Sequence, residues 1–248
     1  MEYVYGIHAV EALLQSRPGD IGNIFCQTGR DDQRMQNILD LAEKHGVRIE
    51  SLPRKKLDDM IDGRHQGVVA KATMPQINWV EEQFFQQLDS MDHPPMLLIL
   101  DGVTDPHNLG ACLRSAEAAG VDAVIIPKDN SADLNATVRK VACGAAETIP
   151  FVRVTNLART LEKLKQQGVW LYGTAGEAQQ SVYEVDLKGP VALIMGAEGK
   201  GMRRLTREHC DYLINLPMAG AVSSLNVSVA TGICLFEVVR QRAKAVTS

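Results

Sequence analysis

The 248-residue sequence has no apolar run approaching the roughly 20 residues that a bilayer-spanning helix needs, which excludes a helical membrane protein. It also has no basic leader followed by a small-residue cleavage site, so the expectation is a cytoplasmic protein that does not engage a membrane. Cysteine is scarce: Cys26, Cys112, Cys143, Cys210 and Cys234 are odd in number, scattered, and without CxxC or Cys/His spacing. That pattern excludes a disulfide framework and a zinc site, leaving buried thiols and no metal. Neither GxGxxG nor GxxxxGK[ST] occurs, so the common dinucleotide and P-loop signatures are absent. Internal repeats and low-complexity tracts are missing as well.

Positive charge is not in excess either. The net charge of −4 argues at first against a nucleic-acid partner, because phosphate binding favours a basic surface. Its distribution changes that reading. Residues 1–72 hold 10 basic and 11 acidic side chains, residues 73–94 hold none and 4, and residues 95–248 hold 16 and 15. The acidity sits in the middle segment. Within residues 1–72 the basic residues gather around Arg54, Lys55, Lys56 and Arg64, with Lys71 further on. A solvated surface would account for such a run, and so would a patch that holds RNA.

What is present is a two-part alternation of helical and extended patterns. Residues 1–72 read as a small α/β domain, with helices in "GIHAVEALLQS" and over 32–45 and strands near "IGNIFCQ", "VRIES" and "GVVAKA". Residues 73–94 carry Pro75 and Pro94, precede Pro95, and read as a linker in which Trp79, Phe84, Phe85 and Leu88 suit a short packed helix. Residues 95–248 form the second domain. Its extended runs "MLLIL", "AVIIP", "VWLYGT", "VALIMG" and "YLINLP" are apolar without polar alternation, as in a parallel sheet covered on both faces. Helical patterns follow at 108–119, 132–143, 156–167, 202–209 and from about 224.

Three polar islands interrupt this pattern where strands end, the place at which open α/β sheets bind ligands. In "DPHNLGACLRSA", Asn108 suits the cap of the following helix, whose packed face is Leu109, Cys112, Leu113, Ala116 and Gly120. Arg114 falls roughly 140° from that face, so packing does not hold it. The second island, "IMGAEGKGM", has three glycines suited to close approach by a ligand, with Glu198 as its one acid. The third, "INLPMAGAVSSLNVSVATGICLFE", leads through Ser223, Ser224 and Asn226 into a helix that begins with small residues. A tightly packed helix start explains those small residues by itself; so does another piece of backbone lying against it.

Together, and in this order, the islands resemble the three motifs of the SpoU/TrmH class of SPOUT RNA 2′-O-ribose methyltransferases, over residues 95–240. The stretch from "YGIHAVEALL" to "HQGVVAKA" is similar to the L30e-like RNA-binding domain that precedes the catalytic domain in one branch of that class. The resemblance implies an α/β fold with a C-terminal trefoil knot, a mostly parallel sheet flanked by helices, and a homodimer. It implies S-adenosylmethionine as cofactor, bound at Gly196, Leu216 and Leu225 and by neighbouring backbone groups. By the same resemblance Asn108, Arg114, Glu198, Ser224 and Asn226 match the polar active-site positions. The full-length pattern implies a guanosine 2′-oxygen in the peptidyl-transferase loop of 23S rRNA as target, with transfer RNA as the alternative. Small residues at the start of the last helix would permit the backbone crossing that a knot requires.

The implied reaction is an in-line displacement by the ribose 2′-hydroxyl on an activated methyl group, so alignment and handling of the hydroxyl proton are the enzyme's tasks. The class assigns activation of the hydroxyl to the arginine at position 114. Because a guanidinium keeps its charge, holding a phosphate and stabilising developing alkoxide is the more economical role. Glu198 suits a buried structural carboxylate as well as a substrate contact. Two rival readings remain at this level: a nucleotide-dependent dehydrogenase or small-molecule transferase, disfavoured by the absent GxGxxG, and a non-catalytic RNA-binding or ribosome-assembly protein.

Overall fold

The computed structural model describes residues 2–73, 78–197, 199 and 201–245. In chain order the first elements are β1 (Glu2–Tyr5), α1 (Ile7–Ser16), β2 (Ile21–Gln27), α2 (Gln33–Lys44), β3 (Ile49–Leu52), α3 (Arg54–Met60), β4 (Val68–Ala72), β5 (Asn78–Trp79), α4 (Glu81–Asp89) and β6 (Met96–Asp101). There follow α5 (Pro106–Ala119), β7 (Ala123–Pro127), α6 (Ala136–Ala142), β8 (Phe151–Val154), α7 (Leu157–Gln166), β9 (Trp170–Thr174), β10 (Gln180–Ser181), β11 (Val191–Gly196), α8 (Arg204–His209), β12 (Tyr212–Asn215) and α9 (Val227–Ala245). Two compact units result, one of Met1–Ile77 with Leu134–Thr148, the other of Asn78–Asp133 with Ile149–Ser248.

The first unit is a four-stranded sheet in the order β1-β4-β2-β3, with only β2 and β3 running parallel. Apolar residues at helical spacing on α1, including Val10, Leu13 and Leu14, are removed from solvent together with Ile24 and Ile38. The Asp32 side chain starts α2 by accepting from the N–H groups of Arg34 and Met35, both at 3.2 Å. Two elements go beyond the sequence reading. One is the edge strand β1; the other is α3, which turns the basic run at 54–56 into a helix anchored by the single buried residue Leu57. Residues 134–148, expected within the 95–248 domain, group with this first unit. Gly144, at φ +100°, makes that possible: a Cβ there would lie 2.4 Å from Cβ of Ala12 on α1.

The second unit is built on an eight-stranded sheet in the order β10-β12-β9-β11-β6-β7-β8-β5, in which every pairing is parallel. Its central strands β6 and β7 are buried at every residue, as their unbroken apolar runs predict. Three strands were not legible as runs. Strands β5 and β10 have two residues each, and β8 carries Arg153 outward to Asp133 at 3.0 Å. Residues 78–89, expected in the linker, are an integral part of this sheet and its cover: β5 pairs with β8, and Phe84 is fully buried in the core. After β9 the chain runs to the far edge for β10, returns inward for β11 and then fills the place between β9 and β10 with β12, a non-sequential order.

The start of α5 corrects one expectation. Its cap is Asp105, whose carboxylate accepts from the His107 N–H at 2.9 Å, with Pro106 as first helical residue; Asn108 lies inside the first turn and is 8% exposed. Its side chain is therefore free for a tertiary partner. The small residues that open α9 serve helix packing. Gly232 lies where a Cβ would be 3.5 Å from Ser115 Oγ on α5, and Cys112 Sγ is 3.6 Å from Thr231 Oγ1. The cysteines are free thiols, buried at 26, 112 and 234 and half-buried at 143 and 210. Burial pushes the thiols of Cys210 and Cys234 up to about 12.

Candidate active site

The three polar islands meet at the carboxyl ends of β6, β11 and β12. Strand β6 ends in Asp101, a carboxylate with no solvent exposure. It accepts from the Arg203 backbone N–H at 2.9 Å and from Arg203 Nε at 2.6 Å, joining the first island to the residues just after the second. Next to it Gly102 takes φ +85°, and a Cβ there would stand 3.6 Å from Cβ of Ala197. Neither Asp101 nor Arg203 was singled out from sequence. The signal was a lone acid closing a wholly apolar strand, since a buried carboxylate requires a partner.

The second island folds back on itself. Ala197 and Gly201 exchange two backbone hydrogen bonds, at 3.1 and 2.8 Å, closing a tight hairpin directly after β11. Gly199 and Gly201 hold positive φ angles of 74° and 67°, which favour glycine. Gly196 is there for space: a Cβ would lie 2.3 Å from both the Gly201 carbonyl carbon and the Met202 nitrogen. Glu198 lies outside the described residues.

The third island joins the first through two asparagines. Asn226 Nδ2 donates to Asn108 Oδ1 at 2.9 Å. Asn226 Oδ1 accepts from Ser228 N–H at 2.9 Å and from Ser228 Oγ at 2.6 Å, so the same residue caps α9. Both amide ends of Asn226 are thereby committed, and its orientation is fixed. Ser224 is exposed in the connection before α9, Leu225 is 36% exposed, and Leu216 is half-buried just after β12. Residues 216–225 lie outside any helix or strand and are largely exposed from Ala219 onward.

Arg114 is exposed on α5, off the packed face as its position in the helical pattern predicts. Six residues on from Asn108, it stands about 120° round the helix and roughly 9 Å along it. It is not brought to the Asn108–Asn226 pair. Its side chain is exposed, where it can meet a molecule arriving from outside. Of the basic residues expected to hold RNA, Arg54 and Arg64 line one cavity of the first unit, while Lys55 and Lys56 are exposed on α3 outside that lining. No cluster of three or more His, Cys, Asp or Glu side chains suited to a metal occurs among the described residues.

A parallel α/β sheet with a glycine hairpin and two outward-facing loops at its carboxyl edge defines a ligand-binding class of fold, and comparison narrows it. Residues 95–236 match the SpoU rRNA methylase family, and residues 3–78 match the RNA 2′-O ribose methyltransferase substrate-binding family. The 23S rRNA (guanosine-2′-O-)-methyltransferase RlmB of Pseudomonas aeruginosa is 62% identical over 241 residues, covering 97% of each chain. Its counterpart from Escherichia coli is 58% identical over 242 residues, covering 97% of this chain and 99% of the relative. Among solved structures, an RNA 2′-O ribose methyltransferase superimposes with a TM-score of 0.79 at 26% identity, covering 97% of this chain and 88% of that one. The SpoU methyltransferase AviRb from Streptomyces viridochromogenes, solved in complex with AdoMet, shares the fold with a TM-score of 0.77 at 23% identity over 98% of this chain and 90% of its own. The chain belongs to the SpoU rRNA methylase family.

Proposed function

We propose that the protein transfers a methyl group from S-adenosylmethionine to the 2′-oxygen of a guanosine in 23S rRNA, within the peptidyl-transferase loop. The observation that carries this reading is near-full-length identity of 58% and 62% to relatives named for that reaction, across both units. The chain's residues suit the cofactor. The irregular connection 216–225 supplies peptide groups for an adenine edge and ribose, and Leu216 and Leu225 offer apolar cover. When bound, S-adenosylmethionine supplies an already activated methyl group.

The protein's contribution is then alignment and electrostatics. Asn108, held by Asn226, presents a fixed amide at the crevice, and Ser224 and Leu225 border it. Arg114 receives the nucleotide from outside, holds its phosphate and stabilises charge developing on the 2′-oxygen. Alignment of this kind is worth roughly 7–11 kcal/mol in favourable systems. Glu198, outside the described residues, is assigned by its place in the sequence motif to support of the cofactor or the ribose. The first unit holds the RNA, and the second unit, with β5 and α4 built into it, carries the transfer.

The decisive experiment is methyl transfer from labelled S-adenosylmethionine to undermethylated 23S rRNA and, separately, to bulk tRNA, with the modified nucleotide mapped. Label at one guanosine 2′-oxygen of 23S rRNA is the expected result. Label in tRNA alone would reassign the target, and none in either would replace the enzyme with a non-catalytic RNA-binding protein.

The functional unit is a homodimer built on α9. Val229 and Phe236, seven residues apart on one stripe of that helix, are 50% and 49% exposed, and Val222 in the preceding loop is 64% exposed. Apolar side chains repeated along one helical face favour a second apolar surface. Phe236→Glu is expected to shift the protein from dimer to monomer in sedimentation velocity at micromolar concentration. An unsubstituted chain already monomeric there would refute the assignment.

A further inference from the structure

The first unit contains a cavity of about 280 Å³, lined by Gln27, Arg30, Arg54, Asp58, Arg64 and His65 together with Gly63, Gln66 and Gly67. Its size is near the lower end of small-ligand sites, roughly 300 Å³. Three guanidiniums, of Arg30, Arg54 and Arg64, and one carboxylate, of Asp58, belong to its lining. Arg64 is exposed and forms no ion pair among the described residues, and Arg54 is only loosely paired, its Nε 3.9 Å from Asp58 Oδ2. Arg30 is held in place, by Asp32 through Nε and by the Gln66 carbonyl through Nη1. The lining therefore carries a positive field with one fixed and two adaptable arginines.

The loop that forms one wall is unusually well fastened. Gln66 adopts φ +50°, uncommon for a residue with a side chain, and its Oε1 accepts from the Ile7 N–H at 3.2 Å. His65 is 3% exposed and uses both ring nitrogens. Its Nδ1 accepts from the Gly67 N–H at 2.9 Å, and its Nε2 donates to Asp58 Oδ1 at 2.8 Å. At Gly63 a Cβ would come within 2.6 Å of Tyr5 Oη. Backbone held in a sparsely populated conformation by surrounding bonds is a feature of ligand sites, where the shape is set before the ligand arrives.

We infer that this cavity receives one unpaired nucleotide of the RNA substrate, with its phosphodiester between Arg54 and Arg64 and its base against Arg30 and the amides of Gln27 and Gln66. This rests on the RNA-methyltransferase reading given above. The chemistry favours it because arginine forks match phosphate bidentately and guanidinium planes stack on bases. The concave shape favours an unpaired segment, since duplex RNA is gripped across its broad minor groove and cannot enter a pocket of this size. Lys55 and Lys56, outside the lining, are left to general attraction of the backbone.

The test compares the intact chain with the double variant Arg54→Ala/Arg64→Ala and with Lys44→Ala, an exposed control on α2. Binding of undermethylated 23S rRNA is measured over a salt series, and the RNA in each complex is probed by ribose acylation, which reports unpaired nucleotides. The double variant is expected to bind at least tenfold more weakly with a shallower salt slope, by about 1, and to lose protection at one unpaired position while the rest of the footprint persists. Lys44→Ala should stay within twofold, and S-adenosylmethionine affinity should be the same in all three. An unchanged footprint in the double variant, or protection confined to duplex segments, overturns the pocket and leaves the methyltransferase reading standing. An intact chain that binds no 23S rRNA overturns both.

Discussion

Replacing Arg114 by lysine is expected to lower kcat/KM for 23S rRNA about 10²- to 10³-fold while leaving S-adenosylmethionine affinity within twofold. The site of the change explains both halves. Arg114 is exposed on α5, outside the buried face of that helix, so its loss opens no cavity in the core. Stability should move by no more than about 0.5 kcal/mol, as for other surface substitutions. Lysine preserves the charge but not the planar fork that grips a phosphate through two parallel bonds. A point charge still attracts RNA; it does not align the 2′-oxygen. Methyl transfer with labelled cofactor, alongside calorimetric titration of the cofactor, separates the two effects. Near-normal turnover by the lysine variant would remove Arg114 from the mechanism.

The second large effect is expected at Gly196, where alanine should weaken cofactor binding at least tenfold and cost about 1–3 kcal/mol of stability, the range for overpacking a filled site. The added carbon would have to occupy space 2.3 Å from two backbone atoms, the Gly201 carbonyl carbon and the Met202 nitrogen. A flexible side chain would swing away; a backbone closed by the Ala197–Gly201 pair can only move by opening the hairpin. That hairpin is the wall the cofactor is expected to lie on. Gly189→Ala is the matched control, because nothing lies within 4 Å of a Cβ there. Urea denaturation and equilibrium dialysis of labelled S-adenosylmethionine read the two consequences. A Gly196→Ala protein that binds cofactor as the control does would show that the hairpin is not part of the site.

Both predictions depend on different kinds of legibility. The position of Arg114 followed from helical periodicity alone, because apolar residues at 109, 112, 113 and 116 define a face and 114 falls outside it. Gly196 stood out in sequence as one of three glycines in a short loop, but the reason for it did not. Only the return of the chain at 201–202 makes a side chain at 196 impossible. Asn108 shows the opposite error. Its residue type suits a helix cap, and the sequence reading gave it that role, yet Asp105 caps α5 and leaves the Asn108 amide for Asn226, 118 residues later. Pro106 at the first helical position is the local signal that marks Asp105 as the cap; the partner of the Asn108 amide is tertiary.

The same division runs through the fold. Long apolar runs such as those of β6, β7 and β11 announce buried parallel strands, since a strand covered on both faces has no polar positions to alternate. The short strands β5 and β10 carry no such pattern, and they exist because neighbouring strands offer an unpaired edge. Residues 134–148 read as part of the second domain by order in the chain, and their contacts place them in the first unit. Phe84 read as part of a short packed helix, which α4 is; that the helix belongs to the core of the second unit and not to a linker was not legible.

Residue type and spacing were enough to read cysteines outside any disulfide framework, the two-part α/β organisation, the three polar islands and their family. Tertiary structure alone decided that Asp101 holds Arg203, that Asn226 orients Asn108, and that Arg30 joins Arg54 and Arg64 around one cavity. Those are meetings between residues far apart in the chain. Local spacing carries no information about them, and packing of the folded backbone supplies it.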